Sequence, residues 1–100
     1  MKNFGNMGGA NMQQMMKQAQ EMQKHMDKIK EELAETAIEA TAGGGMVTVE
    51  MTGAYELINL KIKPEAVDPD DVEMLEDLII AATNEALSQV NALRQEKLPI

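Results

Sequence analysis

The sequence predicts an α+β fold of two layers, running helix, three-stranded antiparallel sheet, helix (αβββα). Three observations predict it. The chain opens with a long uninterrupted run whose apolar residues alternate at spacings of three and four. Its middle holds short β-branched segments divided by glycine turns, and it closes with an apolar stretch behind an acidic cap. One hundred residues without an internal repeat make a single domain, placed at 11–98 behind a flexible N-terminal arm at 1–10.

The arm, MKNFGNMGGA, combines three glycines with little to bury. From Asn11, a candidate cap, the pattern changes. Met12, Met15, Ala19, Met22, Met26, Ile29 and Leu33 form the seam of a helix that pairs with another helix. No Gly, Pro or β-branched residue interrupts 12–28. A methionine stripe is also a soft ligand set for copper or an adaptable peptide-binding surface. The seam spacing, and the absence of a His or Cys joining it, favour packing.

The helix should stop near Glu35, because Thr36, Ile38 and Thr41 are β-branched and lead into Gly43, Gly44 and Gly45. These residues predict a strand at 36–42. A phosphate-binding loop would need a Lys and a Ser or Thr opening a helix after the glycines. Here Met46 to Met51 alternate as a second strand, so the glycines form a turn. Thr52, Gly53 and Ala54 make the next turn. A third strand runs from Tyr55 to Lys63, with Ile58, Leu60 and Ile62 facing Val47, Val49 and Met51, and Pro64 ends it.

For the last helix, Asp68 is the expected N-cap and Pro69 the first helical residue, with Asp70, Asp71 and Glu73 at the positive end of the dipole. Val72, Leu75, Leu78, Ile79, Ala82, Ala86, Val90 and Leu93 recur at helical spacing, and Ile80 and Leu87 widen the apolar sector. At about 100° per residue they cover roughly 200°, about twice what one contact surface requires. Such a helix calls for two neighbours: the chain's own sheet and a second copy of the protein. Met15, Met22, Met26, Ile79, Ile80 and Leu87 are the candidate dimer contacts. Aromatic content of 2% leaves little bulk for a monomeric core and points the same way.

Cys is absent, which excludes disulfides and thiol chemistry. The longest apolar run, Leu78–Ala82, is far short of a membrane span, and no signal-peptide core is visible, so a cytoplasmic protein without a membrane partner is expected. Ser88 and His25, the lone Ser and His, lie far apart on two helices and lack an orienting acid. Glu73, Glu76 and Asp77 share a helix face without the histidines a di-metal site needs. An enzyme, a cofactor, a metal and a small-molecule substrate are therefore not expected.

Net charge is −8, yet it is unevenly spread. Residues 1–30 carry five basic and two acidic side chains, for +3, whereas 31–100 carry four and fifteen, for −11. If the two helices run as an antiparallel pair, their remote ends lie together. Lys2, Lys17, Lys24 and Lys28 then share an arm with Arg94 and Lys97. Lys17 and Lys24 project from one face, away from the methionine seam, where they can reach phosphates.

The segments MMKQAQEMQKHM (15–26), GGGMVTVEMTGAYEL (43–57) and DPDDVEMLEDLIIAATNEAL (68–87) resemble the YbaB/EbfC family of bacterial nucleoid-associated DNA-binding proteins. The resemblance covers about residues 12–95. It implies the same order of elements, a homodimer with protruding helical arms, no cofactor, and sequence-tolerant binding of duplex DNA in the nucleoid that alters DNA conformation. Lys2, Lys17, Lys24, Lys28, Arg94 and Lys97 are the candidate DNA-binding residues. The alternative reading is an acidic adaptor that binds a protein partner through its methionine-rich groove.

Overall fold

The computed structural model describes the backbone of residues 2–98 and the side chains of residues 11–98. Its helices and strands follow the expected order: α1 (Lys2–Glu35), β1 (Ala37–Ala42), β2 (Val47–Thr52), β3 (Leu57–Ile62) and α2 (Val72–Lys97), with an unexpected 3-10 turn at Pro64–Ala66 before α2. The strands form one antiparallel sheet in the order β1-β2-β3. Gly43, Gly44 and Gly45 turn the chain between β1 and β2 at φ of 63°, 67° and 91°, a region that side chains with a Cβ avoid.

α1 starts at Lys2, nine residues ahead of the expected Asn11 cap. Nucleating a helix costs far more than extending it, so once 12–35 are helical each earlier residue adds a hydrogen bond. The glycines at 5, 8 and 9 weaken that extension without stopping it. Residue 1 and the side chains of 2–10, which belong to the expected arm, lie outside the described residues.

The core is the contact between β1, β2 and α2. Ala40, Val47, Val49 and Met51 meet Ala82, Ala86 and Val90, with Ile38, Ile62, Leu75, Leu78, Ile79 and Leu87 packed around them. Small residues at 82 and 86 let the helix lie close to the sheet, and alternation along β2 sends Val47, Val49 and Met51 to that face. Thr48 and Glu50 point to the other side, which α2 does not cover.

Two details differ from the sequence reading. Val47 pairs with Ile62 and Val49 with Leu60, but a bulge at Glu50/Met51 sets Met51 opposite Leu57, leaving Ile58 out of the matched row. The α2 cap is Asp71, whose carboxylate accepts the Met74 N–H at 3.2 Å. Asp68 closes the preceding turn instead. Its side chain accepts the Asp70 N–H at 2.9 Å and its carbonyl accepts the Asp71 N–H at 2.9 Å, with Pro69 at the second turn position, which its fixed φ suits.

The helices do not lie side by side. α2 lies along β1 and β2, whereas α1 meets the rest only at its root. There the Gly53 N–H donates to the carbonyls of Leu33 and Thr36, both at 2.9 Å, and Leu33 is buried. The molecule measures 82 × 20 × 17 Å, with a radius of gyration of 22.7 Å. A compact domain of this length would have about 13 Å. The excess belongs to α1, about 50 Å long at the usual rise, which projects as an arm from a small hub.

Candidate nucleic-acid interface

Two faces of the arm run along its length. At about 100° per residue, Met12, Met15, Met16, Met22 and Met26 span an arc of roughly 120°. Lys17, Lys24 and Lys28 fall within roughly 40°, centred about 160° from the middle of the methionine face. All three lysines are exposed, with Glu21 at the margin of their face four residues after Lys17, while Gln23 donates to Asp27 at 3.1 Å on the flank between the two faces. The result is a cationic stripe that reaches solvent while the apolar stripe points away. Such a stripe makes backbone contacts with a polyanion and carries no base-reading pattern.

Arg94 and Lys97 do not extend this stripe. They stand at the root of the arm, because the C-terminal end of α2 returns to the Gly53 turn. The Arg94 guanidinium donates to the Gly53 carbonyl at 2.7 Å and lies 5.0 Å from the centre of the Tyr55 ring. Tyr55 donates its hydroxyl to Asn91 and sits at φ 64°, where a non-glycine residue is strained. Thr52 holds the turn from the other side, its hydroxyl accepting the N–H groups of Ala54 and Glu56 at 3.2 Å each. Arg94 therefore fastens the hub to the arm's root, and Lys97 is exposed one turn further on. The Lys2 side chain lies outside the described residues. Sequence reasoning missed this lock, although the lone Tyr beside a Gly-Ala turn was a visible signal.

The candidate dimer residues divide into two sets. Met15 and Met22 are exposed and Met26 is half-buried, all on the arm. Ile79 and Leu87 are half-buried at the margin of the core, and Ile80 beside them is 57% exposed. Ala81, Glu85 and Gln89 face the β1 edge across an open cleft. Ile80 and Leu87 lie on the opposite flank of α2, toward β3. There Leu57 and Leu60, which share a sheet face with Met51 and Val49, are uncovered. An apolar patch thus continues from α2 onto β3. The bulge that brings Leu57 to this face was not legible in the alternation, though the adjacent pair Leu57 and Ile58 hinted at it.

Among the described residues no three His, Asp or Glu side chains gather into a group able to hold a metal, and no helix is long and apolar enough to cross a membrane.

A hub of one sheet and one helix, carrying a long arm with a lysine face, defines a non-globular scaffold. The chain belongs to the YbaB/EbfC DNA-binding family, whose model matches residues 7–99. It is 59% identical over 87 residues to a nucleoid-associated protein of Alkaliphilus metalliredigens, covering 86% of this chain and 76% of that protein. It is also 59% identical over 91 residues to a nucleoid-associated protein of Staphylococcus aureus, covering 91% and 87%. Among solved structures, an uncharacterized protein from Helicobacter pylori superposes with a TM-score of 0.76 at 26% identity, over 83% of this chain and 87% of that one.

Proposed function

We propose that the protein binds duplex DNA as a nucleoid-associated homodimer, holding the phosphate backbone with the lysine face of α1 and reading little sequence. The observation that carries this is the segregation of Lys17, Lys24 and Lys28 onto one exposed face of a helix that projects from an acidic hub. Family membership supports the ligand. The negative hub repels the same ligand, so DNA meets the arms and not the sheet.

The dimer rests on the apolar patch of Ile80, Leu87, Leu57 and Leu60. A second copy covering it would give α2 its other neighbour and leave both arms projecting. The protein then works in the cytoplasm, at the nucleoid, without cofactor or catalytic step. Three lysines on each of two arms engage up to about six phosphates, for which log K falls with log salt at a slope of roughly −5.

The test is a gel shift on random-sequence duplexes across a salt series, with sedimentation of the free protein alongside. Salt-sensitive, sequence-indifferent binding by a dimer is the expected result. Single subunits at micromolar concentration, or binding that ignores salt, would overturn it.

A further inference from the structure

The seam of α1 is unusual in what fills it. Met12, Met15, Ala19, Met22, Met26 and Ile29 occupy alternating positions of a seven-residue repeat that ends at the buried Leu33 of the root, and Met16 flanks them. Leu or Ile at these places would make a permanent helix pair, whereas Met and Ala pack adaptably and hold loosely. Met12, Met15, Met16 and Met22 are 64%, 66%, 61% and 63% exposed, while Met51 in the hub is 3% exposed. Among the described residues the four arm methionines are thus the most exposed thioethers, with Met74 on α2 40% exposed and Met51 sealed in the hub.

We infer that the methionine face of α1 is a reversible oxidation site, through which a peroxide controls pairing of the arm with the α1 of a second copy. The sulfur attacks one peroxide oxygen. The O–O bond breaks, an S–O bond forms, and the departing hydroxide takes up a proton and leaves as water. Sulfur is oxidised by two electrons, and the peroxide is reduced. The sulfoxide is polar and bulkier than the thioether, so it removes the apolar face; a methionine sulfoxide reductase restores it, two thiols giving up two electrons and two protons to become a disulfide while the oxygen leaves as water.

A second copy is the occupant because the repeat matches its own period and the flanks do not repel. On either side of the seam stand Met16, Gln23 and Lys30, and Gln18, His25 and Glu32. Lys17 and Lys24 take the position farthest from the seam, so pairing leaves them turned outward. Oxidation traps the unpaired arm and leaves the lysine face, about 160° away, untouched. The DNA consequence rests on the function proposed above: oxidised protein keeps its salt-dependent binding and loses the joining of one bound copy to another.

Two experiments on the full chain decide it. In the first, the native protein is treated with hydrogen peroxide and mapped by peptide mass. Met12, Met15, Met16 and Met22 should convert well before Met51, and equal rates would overturn the site. The second exploits the absence of Cys: Ala19→Cys on the seam is the only thiol, and a short bismaleimide reports two arms held together. Cross-linking should be seen with Ala19→Cys alone and when Met12, Met15, Met16 and Met22 are changed to Leu. It should disappear when the four are changed to Gln, which mimics the polar sulfoxide. No cross-link in Ala19→Cys alone, or one that survives the Gln changes, would overturn the pairing. Neither readout involves DNA, so a failed gel shift beside an intact cross-link would count against the proposed function alone.

Discussion

The hub and the arm of this protein are stabilised in opposite ways. In the hub, β2 is sandwiched between neighbours on both edges and α2 on one face, so Val47 and Val49 reach zero exposure. On the arm, every residue from Asn11 to His25 is exposed. Among the described residues α1 is held by its own backbone hydrogen bonds, the Gln23–Asp27 bond along its surface and the root at Gly53. An isolated helix of this kind is only marginally stable in water, and apolar side chains left in solvent are not used to hold it. With the lysine face proposed as the DNA contact, stability and recognition fall to separate regions, and substitutions should affect one without the other.

Breaking the hub has the largest effect. Val49→Asp places an unpaired carboxylate at the centre of the sheet, with no partner to take its charge. The cost exceeds about 4 kcal/mol, a large part of the stability of a small domain. Its thermal melt, followed by circular dichroism in the β region, should lose its cooperative step. A normal melt would mean that α2 does not seal the sheet.

The junction comes next. A Cβ on Gly53 would stand 2.6 Å from the Leu33 carbonyl oxygen, closer than such atoms approach, and backbone cannot swing aside as a side chain does. Gly53→Ala should cost about 1–3 kcal/mol by overpacking. It should also tilt the arm, which solution scattering would read as an altered radius of gyration. Smaller again is Asp71→Ala, which removes the α2 cap at about 1 kcal/mol, or roughly 4–8 °C of melting temperature for a domain of this size. Asp68→Ala should cost less, because it holds a turn and no helix end. Equal losses at the two positions would show that the cap is shared.

The order and kind of the two helices and three strands were legible in the sequence, because periodicity reports which face is buried, whereas the 3-10 turn at Pro64–Ala66 was not. Alternation identified β2, and helical spacing identified α2. What the sequence hid was geometry that depends on distant partners. Asp68, Asp70 and Asp71 are chemically equal as caps, and only the turn around Pro69 selects Asp71. The bulge opposite Glu50/Met51 adds Ile58 to β3, which strict alternation does not accommodate and the adjacent Leu57 and Ile58 only hint at. Arg94 read as a free cation because its acceptor, the Gly53 carbonyl, lies 41 positions away in the chain. The lysine face needed no partner to be seen, since a helix fixes the relation of Lys17, Lys24 and Lys28 by itself.

Substitution on that face has the smallest effect on stability and tests the separation most directly. Lys17→Glu with Lys24→Glu, measured against the unaltered chain by DNA titration over a salt series, should weaken binding. The salt slope should become shallower by about 1 for each phosphate that a lysine no longer neutralises. Helicity and the melting curve should not move. A titration that superimposes on the unaltered protein, at the same slope, would contradict the lysine face as the DNA-binding surface and place the DNA elsewhere on the molecule.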